Sequence, residues 1–373
     1  MSRVAIVLPF ILFAIGLIFA AHYFVYRSIV FFFKPSPLLR SYLAWGFVFV
    51  GLSFPIAMTM VHYWENKVVR AYYYLAGAGL GLVLYLILAF AIVWLAYSLT
   101  PHLQLKLSPV VFGCIALLLS ILVAIMGLWN AYDPKVTRIT IPIKNLPPAW
   151  EGKVLVQLSD VHLGAIYGLR YSDRLVERVN ELQPELIFIT GDLFDGMDGR
   201  LDELGQSISG LESKKGTFFI TGNHETYLGV DKSLAAIKDS SIQHLENRVV
   251  SIDGLSIVGV DYPIRGEKEV LLKRLDKLEL VRPSILLYHE PRNVPEVAAL
   301  DRFDLMLSGH THRGQLWPFE FVVRSIYGRF AYGLNRIGDF YSYTSVGTGT
   351  WGPPMRTEGR SEITAITLTK IED

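Results

Sequence analysis

The chain has 373 residues, of which 51% are hydrophobic and 18% charged, with a formal net charge of +1. That composition is too apolar for an ordinary water-soluble chain, and the near-neutral charge argues against a bulk nucleic-acid binder. The one cysteine, Cys114, excludes an intramolecular disulfide and lies in an apolar stretch, where it reads as a small hydrophobe.

The apolar excess sits in the first third. Four stretches without Asp, Glu, Lys or Arg follow one another: Val4–Tyr26, Ser41–Trp64, Ala71–Leu99 and Leu107–Tyr132. Each exceeds the ~20 residues that span a bilayer as a helix, so a multi-pass membrane domain is expected over 1–133, with spans at 4–26, 41–64, 71–99 and 107–132. Trp45, Trp64, Tyr72–Tyr74, Trp94 and Trp129 fall near the ends, as an interfacial aromatic belt would. The first stretch is too long for the ~7–15-residue apolar core of a cleaved signal peptide. Spans without ionisable groups of this kind favour anchoring, or gathering of substrate, over transport. Gly77 and Gly81 have the spacing of close helix packing. An even number of spans puts both termini on one side. Arg3, Lys67, Arg70, Lys135, Arg138 and Lys144 flank that side, against Arg27, Lys34, Arg40 and Lys106 on the other, a balance that leans to a cytoplasmic C-terminal domain.

Composition changes at Pro134. Residues 134–152 hold a strand, VTRITIPI, and a connector marked by Pro142, Pro147 and Pro148. From 153 to 373, apolar strands alternate with helices. The strands are KVLVQLS, ELIFIT, GTFFITG, LSIVGV, SILLYH and FDLMLSG. The helices are Tyr171–Leu182, Asp202–Glu212, Asp231–Lys238, Glu267–Leu278 and Val294–Ala299. This pattern predicts an α/β domain with sheets buried on both faces. In the tail, Phe321–Val323, Phe340–Val346 and Ile363–Leu368 read as strands without intervening helices.

Polar residues follow five of these strands: Asp160-Val-His162, Gly191-Asp192, Gly222-Asn223-His224-Glu225, His289-Glu290 and Gly309-His310-Thr311-His312. The carboxyl edge of an open α/β sheet is where ligands bind. An Asp after a strand is commonly a turn residue and a lone His a structural one, so the signal lies in the set. Imidazole suits Zn, Fe, Mn or Ni, and carboxylate or amide oxygens suit harder divalent ions. Asp160, His162, Asp192, Asn223, His289, His310 and His312 are too many donors for one tetrahedral ion and fit two ions sharing a ligand.

The ordered set DVH, GD, GNHE, H and GHTH resembles the calcineurin-like metallophosphoesterase superfamily, over roughly Lys153 to Asp373. The layout, with apolar helices first, is similar to its transmembrane branch, which includes bacterial enzymes implicated in cleaving UDP-2,3-diacylglucosamine. The resemblance implies an α/β sandwich of two β-sheets flanked by helices after the four-helix transmembrane region. It implies two divalent metal ions, manganese foremost and Fe, Zn or Ni as alternatives. Asp160, His162 and His312 would serve one metal, and Asn223, His289 and His310 the other, with Asp192 between them. His224 would contact the phosphoryl oxygen as acid or donor. Glu225 either orients His224 or is a turn or helix N-terminal charge. Arg313 and Arg356 are candidate substrate contacts, and Asp195 reads as a turn residue.

The expected activity is therefore metal-dependent hydrolysis of a phosphodiester or pyrophosphate, on a lipid or lipid-linked substrate because the chain is bound to a bilayer. A soluble phosphomonoester substrate, a metal-binding sensor or scaffold, and a transporter with an attached phosphatase are the alternatives.

Overall fold

The computed structural model describes residues 3–371 except 105, 197–198 and 263–267, and gives the backbone alone for 3–14, 268 and 269. The chain divides into two units. One comprises Met1–Trp129 with Gly352–Met355, the other Asn130–Trp351 with Arg356–Asp373.

Helices α1 (Arg3–Phe33), α2 (Pro37–Tyr63), α3 (Lys67–Leu99) and α4 (Pro109–Tyr132) supply the first unit. All four carry segments long and apolar enough to cross a membrane. Asn66 starts α3 by accepting from the amides of Val68 and Val69 at 2.9 and 3.1 Å, two donors the helix itself leaves open. Inside the helices the hydroxyls of Ser28, Ser53, Thr59 and Ser120 donate to the carbonyl four residues back, which satisfies them without water. Val25, Phe32, Phe90, Val93 and Ala116 form the buried seam, while Leu17, Trp45, Leu118, Ile125 and Trp129 face outward. An apolar exterior of this kind is stable where the solvent is hydrocarbon. Gly77 and Gly81 were expected to bring helices together. A Cβ on Gly77 would stand 3.5 Å from the Phe54 ring of α2, and both glycines receive the short segment from the C-terminal half. The Pro354 ring lies 3.0 Å from where a Cβ on Gly77 would stand, and the Met355 thioether 3.1 Å from one on Gly81.

The second unit is an α/β sandwich, as expected. The chain runs through β1 (Lys135–Ile143), β2 (Val154–Leu158), α5 (Leu169–Asn180), β3 (Leu186–Thr190), α6 (Leu201–Ile208) and β4 (Thr217–Ile220). It continues through α7 (Asn223–Leu228), α8 (Val230–Ile237), β5 (Ile242–His244), β6 (Arg248–Ile252), β7 (Leu255–Val260) and α9 (Lys268–Asp276). It ends with β8 (Ser284–Tyr288), α10 (Val294–Ala299), β9 (Leu305–Ser308), α11 (Phe319–Tyr327), β10 (Gly333–Ile337), β11 (Phe340–Thr344) and β12 (Glu362–Lys370). One six-stranded sheet has the order β1-β12-β2-β3-β4-β5 and the other β10-β11-β9-β8-β7-β6. The inner strands of both run parallel. Alternation along β3 shows why its sequence is apolar throughout. Leu186 and Phe188 join the core between the sheets, and Ile187 and Ile189 join the core under α5 and α6.

One expected element is wrong. Phe321–Val323 lies within α11, not in a strand. A three-residue apolar run fits both periods, and here the apolar residues of Phe319–Ile326 recur at helical spacing. Strands β5, β6 and β10 were not expected. They are short or only partly buried, so they lack a strong apolar pattern.

A buried carboxylate ties the sheets together. Glu362, at the start of β12, accepts from the Tyr343 hydroxyl, the Ser345 hydroxyl and the Val346 amide, all at 3.0 Å, and from Thr137 at 2.8 Å. Replacing it strands buried donors, each costing roughly 1–3 kcal/mol. Glu362→Ala is therefore expected to destabilise the folded protein by about 3 kcal/mol or more, read from the denaturant midpoint of the full chain in detergent.

Candidate metal centre

The carboxyl ends of five strands, three from the first sheet and two from the second, bring the polar residues together. Asp160 and His162 follow β2, Asp192 follows β3, and Asn223 and His224 open α7 after β4. His289 follows β8, and His310 and His312 follow β9. Asp160, His162, Asp192, His310 and His312 all adopt left-handed backbone, with φ of 52, 52, 52, 69 and 48°. Such conformations cost of order 1–3 kcal/mol each and persist where the surroundings over-determine them. They turn the chain at once, so each side chain points across the strand ends rather than along them. Gly191, at φ 89°, permits a contact no other residue could make. A Cβ there would lie 2.5 Å from the His289 ring and 2.9 Å from the Gly222 backbone.

Among the described residues, three sets of donor atoms each lie within 4.8 Å of one another: Asp160, His162 and His312; Asp192, His289 and His310; and His162, Asp192 and His224. In the first set, His162 Nε2 is 3.1 Å from His312 Nε2, which is 3.4 Å from Asp160 Oδ1. In the second, His289 Nε2 is 3.2 Å from Asp192 Oδ2 and 3.3 Å from His310 Nδ1. Asn223 Oδ1 joins this set, 2.8 Å from His310 Nδ1 and 3.2 Å from His289 Nε2. Asp192 Oδ2 is also 4.0 Å from His162 Nε2, so one carboxylate reaches both groups.

These residues fit divalent cations on their own chemistry. Two pairs of imidazole nitrogens face each other at 3.1 and 3.3 Å, which is repulsive unless a proton or a cation lies between them. The donors are nitrogen and oxygen alone, a set suited to borderline and hard divalent ions. A back-side hydrogen bond fixes the inward nitrogen of His289, and a carboxylate stands behind His162. His289 Nδ1 donates to the Thr190 carbonyl at 2.8 Å, and His162 Nδ1 lies 3.5 Å from Asp195 Oδ1. Supports of this kind orient metal-binding histidines.

Charge state follows from these neighbours. Burial would raise the Asp192 carboxyl, yet His289 and His224 hold it well below the usual carboxylate range. Burial would lower His289, but the Asp192 carboxylate pushes it up to about 10. Burial, His162 and the Arg356 guanidinium keep His312 well below the usual imidazole range, so it stays neutral with a lone pair to offer.

Glu225 settles between the alternatives considered for it. Its carboxylate accepts from the backbone amides of Asp192 at 2.9 Å, Phe194 at 3.2 Å and Gly222 at 2.7 Å. It therefore pins two of the ligand-bearing turns together, as a helix N-terminal charge would. His224 is held instead by its Nδ1, 2.9 Å from the Asp195 carbonyl, with its amide on Asp192 Oδ1 at 2.9 Å. The rings of Tyr227 and Trp351, both exposed, lie 5.5 and 6.1 Å from that of His224.

Both candidate substrate arginines lie beside the His312 loop. Arg356 is fully buried, donating to the His312 carbonyl at 2.8 Å and the Gly349 carbonyl at 2.9 Å. Arg313 Nε lies 3.5 Å from Glu320 and 3.8 Å from Glu358, with its guanidinium 4.8 Å from the centre of the Tyr332 ring. In this structure both arginines brace the loop around His312.

Asp195, expected as a turn residue, and Glu290 and Gln315, for which no role was expected, also support the cluster. Asp195 backs both His162 and His224. Glu290 Oε1 lies 3.7 Å from His310 Nε2 and is held by the Tyr327 hydroxyl at 2.6 Å and by Arg292. Gln315 grips the backbone of Trp351 through both ends of its amide, at 3.0 Å each. Each sits beside a motif that was singled out, but a turn residue and a positioning residue look alike in sequence.

A family model of calcineurin-like phosphoesterases matches residues 153–314. The chain is 35% identical over 274 residues to the transmembrane protein with metallophosphoesterase domain of Danio rerio, covering 68% of this chain and 62% of that one. It is 33% identical over 282 residues to an uncharacterized metallophosphoesterase of Campylobacter jejuni, covering 73% and 71%. An uncharacterized metallophosphoesterase of Aquifex aeolicus is 33% identical over 252 residues, covering 64% and 93%. The chain spans a little under two thirds of the length of the fish relative.

Two outcomes are expected. Glu225→Gln places an amide donor against backbone donors and should weaken divalent-metal binding about 10–100-fold, measured as metal retained after dialysis. His289 carries a proton at neutral pH, which a metal must displace. Calorimetry of Mn²⁺ binding in buffers of different ionisation enthalpy should show proton release, with affinity rising about tenfold per pH unit from about 7 toward about 9.

Proposed function

This chain belongs to the calcineurin-like phosphoesterase family, and on that premise we propose that it is a membrane-anchored, two-metal hydrolase of phosphodiester or pyrophosphate bonds. The observation that carries the reading is Asp192, one buried carboxylate within reach of both donor sets. Two divalent cations bound there would supply charge neutralisation for a phosphoryl group and acidification of a water.

The protein's own residues do the rest. The left-handed turns and the Glu225 clamp hold the donors in place before substrate arrives, so little reorganisation is needed during reaction. The Asp195 carbonyl accepts a hydrogen bond from Nδ1–H of His224 at 2.9 Å and leaves Nε2 as the nitrogen that serves the substrate. Burial and His162 lower the His224 pKa, so it is neutral in the resting protein. An anionic phosphoryl group beside it would favour the imidazolium, which can hand a proton from Nε2 to a leaving oxygen. Tyr227 and Trp351 beside this ring form an aromatic rim suited to a base or an acyl chain.

The substrate in this reading is a lipid or lipid-linked phosphodiester or pyrophosphate, of the UDP-2,3-diacylglucosamine kind. Support comes from the four membrane-crossing helices, which confine the domain to a surface where such molecules reside. Manganese is the metal we expect to be most active, on the mixed imidazole and carboxylate donors.

The test is Mn²⁺-dependent hydrolysis of bis-p-nitrophenyl phosphate by the full chain, beside UDP-2,3-diacylglucosamine, a phospholipid and a phosphomonoester. Asp192→Asn should lose activity together with bound metal. His224→Ala should lose about 10²–10⁴-fold in kcat while keeping its metal. Unchanged turnover in both variants would refute the reaction class, and turnover of soluble monoesters alone would refute the lipid substrate.

A further inference from the structure

Helix α11 has its polarity reversed. Phe319, Val322, Val323 and Ile326 stand at i, i+3, i+4 and i+7, the spacing of one helical stripe. In a water-facing helix that stripe packs inward. Here Phe319, Val322 and Ile326 are 46%, 54% and 61% exposed, and none of the helix's residues is buried. Two of its polar residues, Glu320 and Tyr327, turn to the protein, while Arg324 and Ser325 stay exposed. Glu320 meets Arg313 at 3.5 Å and Arg324 at 2.7 Å, and the Tyr327 hydroxyl donates to Glu290 behind His310 at 2.6 Å. Trp317 and Phe321, 44% and 65% exposed, enlarge the apolar surface.

We propose that α11 is an interfacial helix whose outer stripe rests in the headgroup region of an anionic phospholipid bilayer. Three observations select this occupant. The chain carries four helices able to cross a membrane, so a bilayer is always within reach of the domain. Exposed Arg329 lies just beyond the helix, and Arg324 and Arg336, which face Glu320 at 2.7 Å and Asp339 at 3.5 Å, leave the patch with one more cation than carboxylates to complement lipid phosphates. Tryptophan and phenylalanine beside arginine is the composition that interfacial helices use.

The location gives the contact a purpose, and this part rests on the hydrolase reading above. The helix begins after the loop that carries His310 and His312, and it ends on the carboxylate that backs His310. A bilayer seated on the stripe therefore lies beside the donor cluster, and a lipid phosphate is presented to it without leaving the membrane.

The test uses the full chain in nanodiscs of phosphatidylcholine and phosphatidylglycerol. Single cysteines at Val322, Ile326 and, as a control, Asp239 are introduced in a Cys114→Ala background and labelled with an environment-sensitive fluorophore. Labels at 322 and 326 should be quenched by lipids bearing an acyl-chain nitroxide and shielded from aqueous iodide, while the label at 239 shows the reverse. Iodide quenching at 322 and 326 equal to that at 239 overturns the proposal. So does shielding at 322 and 326 without nitroxide quenching, accompanied by crosslinking between two copies, since a second chain then covers the stripe. In the activity arm, Val322→Glu with Ile326→Glu should lower turnover of a bilayer-borne phosphodiester at least tenfold more than turnover of bis-p-nitrophenyl phosphate. Equal losses on both overturn the presentation role. If the unsubstituted chain hydrolyses neither ester while the labels report lipid, the interfacial helix stands and the hydrolase reading fails.

Discussion

The α/β half of the molecule depends on keeping one buried carboxylate ionised. Asp192 lies under burial that favours its neutral form, and it stays charged because imidazoles from both sheets surround it. Its amide is fixed by Glu225, and its second oxygen accepts from the His224 amide. A buried charge is tolerated only when paired and hydrogen-bonded, so the site must be assembled from several strands at once. Five loops converging on one carboxylate are the structural answer to that constraint.

The same constraint accounts for the strained backbone. An ordinary β-to-loop transition would carry the side chains away from the strand axis one by one. Left-handed turns at Asp160, His162, Asp192, His310 and His312 direct them inward. The strain is offset by the hydrogen bonds it permits, among them the His310 amide to both Asp160 oxygens at 3.0 Å. Behind the donors stands a second layer, formed by Asp195, Glu290, Arg356 and Glu225. Truncating a member of that layer would leave a buried partner unsatisfied, a cost set by its surroundings rather than by its own chemistry.

The four long apolar helices and α11 share one arrangement. In both, apolar side chains point outward and polar groups are satisfied within the protein, by i−4 carbonyls in α2 and by Glu290 and Arg313 around α11. A helix that turns an apolar stripe outward is at home where the surrounding medium is not water alone.

By itself the sequence determined the class of each half and the residues that converge. Uncharged runs longer than a bilayer needs are decided by composition, and apolar strands buried on both faces are decided by alternation; neither requires knowledge of neighbours. The polar residues after β2, β3, β4, β8 and β9 were legible because each sits beside a local pattern that ends a strand. Tertiary structure alone decided what depends on distance between elements. It showed that Arg356 supports His312 from behind, that Glu225 clamps backbone amides rather than the His224 ring, and that Asp195, read as a turn residue, backs two histidines. It also turned the expected strand Phe321–Val323 into a helix with its apolar stripe outward. A side chain's partners are set by which elements pack together, and a sequence records only which residues are available to be packed.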